Sequence, residues 1–268
     1  MHGKRKCAYC GSIGPLTKEH LWPGALAKRV GKLSNSVAAY WTVKLNKQVD
    51  GDLTIRDVCA TCNNTYLSEL DKYVIDLFDS QLHRFLERDE EIVLEYDHHQ
   101  LKRWLLKMSF NSARANDSSD VGHYSPFIPY IMGQSEASGR SVLLYAQLTY
   151  PGNVPTELVS ANVPPVYYPT TNRVGFFWFT PPRTGHKLMR AIHIHSYTFF
   201  LALFEPNESR AALDAFDRVF REHMMAAVHL RASLKKVHLK CNGADAWESI
   251  SEGYGNSLLF RYQPTPAR

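Results

Sequence analysis

Cys59-Ala60-Thr61-Cys62-Asn63-Asn64 is the stretch on which the reading of this chain turns. Two thiols two residues apart, running into a polar pair and then an apolar-periodic segment, place half of a metal site at the N-terminus of a helix. The other half is Cys7-Ala8-Tyr9-Cys10, with the same spacing. Cys7, Cys10, Cys59 and Cys62 together supply four soft ligands, the set that a closed tetrahedral Zn²⁺ site takes. The fifth cysteine, Cys241, has nothing around it that would activate a nucleophile and reads as a structural or free thiol.

Forty-eight residues separate Cys10 from Cys59, too long an insert for a bare zinc ribbon. Within it lies Lys18-Glu19-His20-Leu21-Trp22-Pro23, where the proline puts His20 at a strand end or loop edge. Residues 24–50 read as irregular, with a possible strand over 37–43. Leu53-Thr54-Ile55-Arg56-Asp57-Val58 alternates apolar with polar and enters Cys59 as a half-buried strand. After Cys62 the period changes: Leu67, Leu70, Val74, Leu77, Phe78, Leu82, Phe85 and Leu86 mark an amphipathic helix beginning near Asn63 or Asn64, with asparagine as its N-cap. Strand, loop, strand and helix make a small β-β-α unit.

These residues resemble the HNH endonucleases of the ββα-metal type: a C-x-x-C pair, an acidic residue before His with Pro three positions later, then C-x-x-C-N at the head of a helix. The resemblance covers residues 7–70. It implies that His20 is the general base, that Asn63 ligates a catalytic Mg²⁺ or Mn²⁺, and that Glu19 is the second protein ligand, with Asn64 able to exchange roles with Asn63. Glu19 stands where the family usually has Asp, and Thr54 where it has its middle asparagine. The chemistry suits the roles, since a neutral imidazole can take a proton from water and a hard cation prefers carboxylate and amide oxygens. Lys18 and Arg56 are candidate phosphate contacts. The resemblance implies DNA as substrate and 5′-phosphate products.

Composition agrees in class. The chain has 268 residues, 44% of them hydrophobic, enough for a substantial core. Residues 1–72 hold 11 Lys/Arg against 6 Asp/Glu, which accounts for the whole net charge of +5 and favours an anionic partner such as nucleic acid. Five cysteines are too few for a disulfide framework, there is no signal-like or membrane-length apolar run, and a cytoplasmic protein that does not engage a membrane is the expectation.

Beyond the helix, the acidic run 87–95 breaks the pattern, and a second helix is expected near Asp97, with Leu101, Trp104, Leu105 and Met108 on one face and Lys102, Arg103 and Lys107 off it. Residues 116–140 read as a connection, 141–150, 174–180 and 192–204 as strands of a sheet, and 208–239 as a helix. His193 and His195, two apart, are expected on one side of a strand, as a metal or phosphate site or as a plain polar face.

The fold expected is therefore α+β: a zinc-stapled HNH-like module over residues 1–90, then a mixed domain over 91–268 with a mainly antiparallel sheet and flanking helices. The second part would serve target choice, homodimer formation or binding of an activating partner, as in effector nucleases of bacterial or phage defence. The rival expectation is a noncatalytic zinc-finger module that binds nucleic acid or a protein.

Overall fold

β1 (Leu16–His20) leaves the first thiol pair as an extended run and stops ahead of the buried Pro23. The computed structural model to which it belongs describes residues 5–34, 39–42, 44, 47–50, 53–159, 164–170, 173–179 and 185–249, with backbone alone at 31–34, 39–42 and 47–50. Residues 24–50, expected to be irregular, instead hold helix α1 (Gly24–Ser34) and a hairpin of β2 (Ala39–Thr42) and β3 (Lys47–Asp50). Val37, Ala38 and Val43 of the anticipated strand over 37–43 lie outside the described residues, as does Thr180 at the end of the strand expected over 174–180.

β4 (Thr54–Cys59) pairs antiparallel with β1, and the register slips by one residue at Thr17/Lys18. The chain turns into helix directly behind the strand, at Ala60. Asn63 and Asn64 thus sit inside the first turns, not at the N-cap expected of them. The helix is π-helical over Cys62–Leu67, α-helical as α2 (Ser68–Leu77) and π-helical again over Phe78–Leu82. Its expected apolar face is buried at Leu67, Leu70, Val74, Leu77, Phe78, Leu82 and Leu86.

The acidic run contains a strand that hydropathy did not mark, β5 (Glu91–Glu95). Helix α3 (His98–Ala115) then begins where expected, capped by the Asp97 carboxylate accepting from the Gln100 amide. Leu101, Trp104, Leu105 and Met108 are buried. Lys102 and Lys107 are buried as well, against expectation, because α3 is covered on more than one side. The connection that follows is ordered by a 3₁₀ segment, Ser119–Phe127, and the short α4 (Ile128–Ile131). Its Asp120 forms a buried ion pair with Arg190.

Five strands make the main sheet. Its members are β6 (Val142–Leu148), β9 (Arg173–Phe176), β10 (Leu188–Ile194), β11 (Tyr197–Leu203) and β12 (Val228–His229), with β7 (Gly152–Asn153) and β8 (Val166–Tyr167) pairing apart from it. The order is β12-β6-β11-β10-β9, and every described pairing in it is antiparallel. The run 192–204 is therefore a hairpin, turning at His195-Ser196. One face, with Leu144, Ile192 and Phe199, joins an apolar cluster that also contains Tyr9, Leu67 and Trp104. The other face packs Tyr145, Ala191 and Phe200 under helix α5 (Arg210–His223) through Phe216 and Phe220. Alternation of period two along each strand produces this division.

α5 ends at His223, well short of the expected position, and β12 and β13 (Lys236–Lys240) follow. β13 pairs antiparallel with β5, setting Lys236 opposite Glu95 and Lys240 opposite Glu91. The architecture is mixed α+β with antiparallel sheets and several helices. Among the described residues no helix is long and apolar enough to cross a membrane.

A candidate metal centre and the polar network behind it

Two backbone turns bring the four thiols together. The first pair lies in a tight turn closed by Gly11 N–H donating to the Cys7 carbonyl, with Gly11 at φ +70. The second pair crosses from the end of β4 into the first helical turn. Ala8 N–H donates to the Asp57 carbonyl, and Cys59 N–H points at Cys7 Sγ from 3.3 Å, so each turn is tied to the other.

All four Sγ atoms lie within 4.8 Å of one another, and Cys10 and Cys59 are 3.7 Å apart. Metal–sulfur bonds of about 2.3 Å give a tetrahedron with edges of about 3.8 Å. A disulfide needs about 2.05 Å, and all five cysteines are free. The cluster therefore fits a metal such as zinc. Hydrogen bonds from Ser12 pull the Cys10 thiol down to about 6. Burial opposes ionisation of Cys59, but hydrogen bonds from Cys62 and Cys7 prevail and lower it. Burial, together with the thiols beside it, pushes Cys62 up. A cation among the four sulfurs would relieve that crowding.

β1 separates the remaining candidates by face. Glu19 is 3% exposed and points inward. His20, the next residue, is half-buried on the other side, level with Thr54. On the outer side Lys18 stands directly across from Arg56, both exposed. Like charges directly opposite on a strand pair are unfavourable unless an anion joins them. Asn63 Nδ2 donates to Thr17 Oγ1 and to the Lys18 carbonyl, each at 2.9 Å, which pins the helix start to β1 and leaves Oδ1 as the amide's ligating atom. Asn64 is exposed, and its carbonyl accepts from Ser68 Oγ.

Behind Glu19 lies a network that sequence reading missed. Lys107 is fully buried, with Nζ 2.9 Å from Glu19 Oε1 and 2.7 Å from both oxygens of Asp71. Asn111 Nδ2 also donates to Glu19 Oε1, and the indole N–H of Trp104 to Asp71. Burial works against the Lys107 charge, but Asp71 and Glu19 outweigh it, so the ammonium titrates above the ordinary lysine range. One helical turn on, Asn111 Oδ1 accepts from the Tyr9 hydroxyl and from Arg114, whose guanidinium lies over the Tyr9 ring and reaches Asp57 at 3.3 Å. Tyr9 belongs to the first thiol pair, so α3 holds both the inward face of β1 and the thiol cluster. The signal in the sequence was the spacing of Lys107, Asn111 and Arg114, four and then three residues apart on one helix face.

No protein-family model, no curated protein and no solved structure matches the chain.

Proposed function

We propose that residues 7–70 form a zinc-stapled HNH nuclease module that hydrolyses phosphodiester bonds in nucleic acid, with DNA as the preferred substrate. The observation that carries this reading is the joint between β1, β4 and the helix. There the four-thiol cluster closes a strand pair onto a helix start, and the Asn63 amide is bonded to the backbone of the strand that ends in Glu19-His20.

His20 is the proposed base. It takes a proton from water as the water oxygen bonds to phosphorus and the bond from phosphorus to the 3′-oxygen breaks; the departing 3′-oxygen takes a proton from a second water, and a 5′-phosphate and a 3′-hydroxyl result. Lys18 and Arg56, on the same outer face, would bind the phosphates on either side and hold the strand in place. Asn63 Oδ1 would be one ligand of a divalent Mg²⁺ or Mn²⁺, which would supply charge neutralisation at the phosphate and at the departing oxygen, whereas Glu19, expected as the second ligand, points to the opposite face from His20 and does not fit that role. Lys107 and Asn111 keep the Glu19 carboxylate fixed.

Plasmid cleavage tests the reading. Zinc-loaded protein is expected to nick or linearise DNA with Mg²⁺ or Mn²⁺ and to stop in EDTA. His20→Ala should lower the rate by about 10²–10⁴-fold while leaving the fold intact.

The Glu19–Lys107 ion pair favours a second reading, a zinc module that binds nucleic acid without cutting it, in which Glu19 is a structural residue. Under that reading the zinc-loaded wild type shifts DNA in a gel but leaves it whole, and His20→Ala binds as well as the wild type.

A further inference from the structure

One edge of the main sheet is open, far in sequence from the thiols, and what it binds does not depend on the nuclease reading. β9 is the last strand in the order β12-β6-β11-β10-β9, and among the described residues it pairs with β10 alone. Phe177 N–H, one residue past the end of β9, donates to the Met189 carbonyl, which fixes the parity of the run. Arg173, Gly175 and Phe177 turn their backbone N–H and C=O groups toward β10, so Val174, Phe176 and Trp178 turn theirs outward. No described residue bonds to that outer row.

The side chains of the same three residues share one face of the sheet. Val174 packs against the apolar cluster that contains Trp104, whereas Phe176 is 41% and Trp178 85% exposed. The Arg190 guanidinium lies 3.9 Å from the centre of the Phe176 ring and is itself held by Asp120 and the Tyr124 hydroxyl. Trp178 stacks on Phe176 in turn, with centroids 5.9 Å apart and planes 19° from parallel. On the opposite face Phe177 and Phe179 pack into the cluster under α5. The edge is anchored on both faces, and its exposed rings are held in place before anything binds.

Proteins ordinarily guard such an edge with charge, proline or a bulge. Residues 173–179 contain no proline, and their one charge, Arg173, belongs to the other face and donates to the Ser249 carbonyl. The outer row is also complementary to itself. Set antiparallel to its own copy about a two-fold axis at Phe176, it matches Phe176 with Phe176 and Val174 with Trp178. Every residue of the row then exchanges both N–H and C=O, and the exposed rings of both copies meet on one face with no like charges opposed.

A two-fold contact closes on itself. It consumes the open edge of both copies and leaves at each end of the joined sheet only β12, two residues long. A nucleobase stacked on Trp178 would instead leave the outer backbone row unpaired. We propose that two copies of the chain join β9 to β9, antiparallel, into one continuous sheet.

Sedimentation equilibrium of the zinc-loaded whole chain, free of nucleic acid and run from about 1 to about 100 μM, tests this. The wild type is expected to dimerise with a Kd of about 10 μM or tighter. Val174→Pro deletes an outward N–H and no bond to β10, and Trp178→Lys sets an ammonium into the aromatic face. Each should weaken the dimer by at least about tenfold in a protein that stays folded. A wild type still monomeric at about 100 μM, or a dimer whose Kd is unchanged in either folded variant, would overturn the proposal. So would a monomer that binds single-stranded oligothymidine through Trp178, which would make the rings a base-stacking platform. The wild-type measurement needs no variant.

Discussion

A Cys59→Ser variant is expected to lose its metal and, with it, the folded state of the β1–β4 pair and the helix behind it. Structural zinc contributes about 10–16 kcal/mol in small zinc-folded peptides, which matches or exceeds the about 5–15 kcal/mol by which whole domains are stable. Cys59 ends β4 with its Sγ 3.7 Å from Cys10 Sγ, so losing that thiol takes away the ligand through which β4 would share a metal with the first thiol turn. Metal analysis should find about one zinc per chain in the wild type and almost none in the variant. Hydrogen exchange should show protection lost over residues 5–30 and 53–86 and retained on the face of β6, β10 and β11 under α5, whose cluster contains none of those residues. EDTA treatment of the wild type should give the same pattern. Full zinc occupancy in the variant would show that three thiols suffice and that the cluster does not staple the fold.

The second large effect is expected at Lys107. Lys107→Met removes an ammonium that sits between Glu19 and Asp71 and leaves one buried and one partly buried carboxylate without their shared cation. Breaking a buried pair by deleting one partner typically costs about 3–5 kcal/mol. Urea unfolding should report a loss of that order at pH 7. Burial already holds the Asp71 carboxyl above the ordinary carboxylate range with Lys107 in place, and losing the ammonium should raise it further, so the added penalty should be absent below the unfolded value of about 4 and grow as pH rises toward the raised folded one. The variant should therefore recover toward wild type near pH 5. Adding Glu19→Gln to Lys107→Met should restore part of the loss, a coupling that a double-mutant cycle measures directly. Equal destabilisation at pH 5 and pH 7 would mean that Lys107 matters for its packing and not for its charge.

The ease with which each feature was read follows from the range of the forces behind it. The thiol pairs were legible because ligand spacing is local, and two C-x-x-C turns need only be brought to one ion. The start of α3 was legible because its Asp97 cap acts within three residues. The burial of Lys107 was not, because a lysine facing two acids from other elements looks, along its own helix, like a solvated charge. The hairpin inside 192–204 was hidden because His195-Ser196 turns without Gly or Asn, and apolar residues continue on both sides. The true end of α5 could have been found. Lys236-Val237-His238-Leu239-Lys240 alternates with period two, a strand signal that the longer helical pattern masked. For the nuclease reading, strand parity adds a point that residue adjacency concealed: Glu19 and His20, neighbours in sequence, belong to opposite faces of β1.

The clasp between β5 and β13 has a consequence for how the chain is made. Synthesis is vectorial, so the acidic strand leaves the ribosome long before its basic partner exists, and its edge stays open through most of translation. Glu91 and Glu95 guard that edge during the wait, since a charged rim discourages pairing with other nascent chains. When Lys236 and Lys240 arrive, the same charges select the register, because a slip of one residue would set Lys236 against Leu94 or Lys240 against Ile92 and turn the apolar side chains outward. The clasp thus works as a completion lock: β5, already tied to the end of the helix through Gln81, gains its strand partner only once the distant β13 has been delivered.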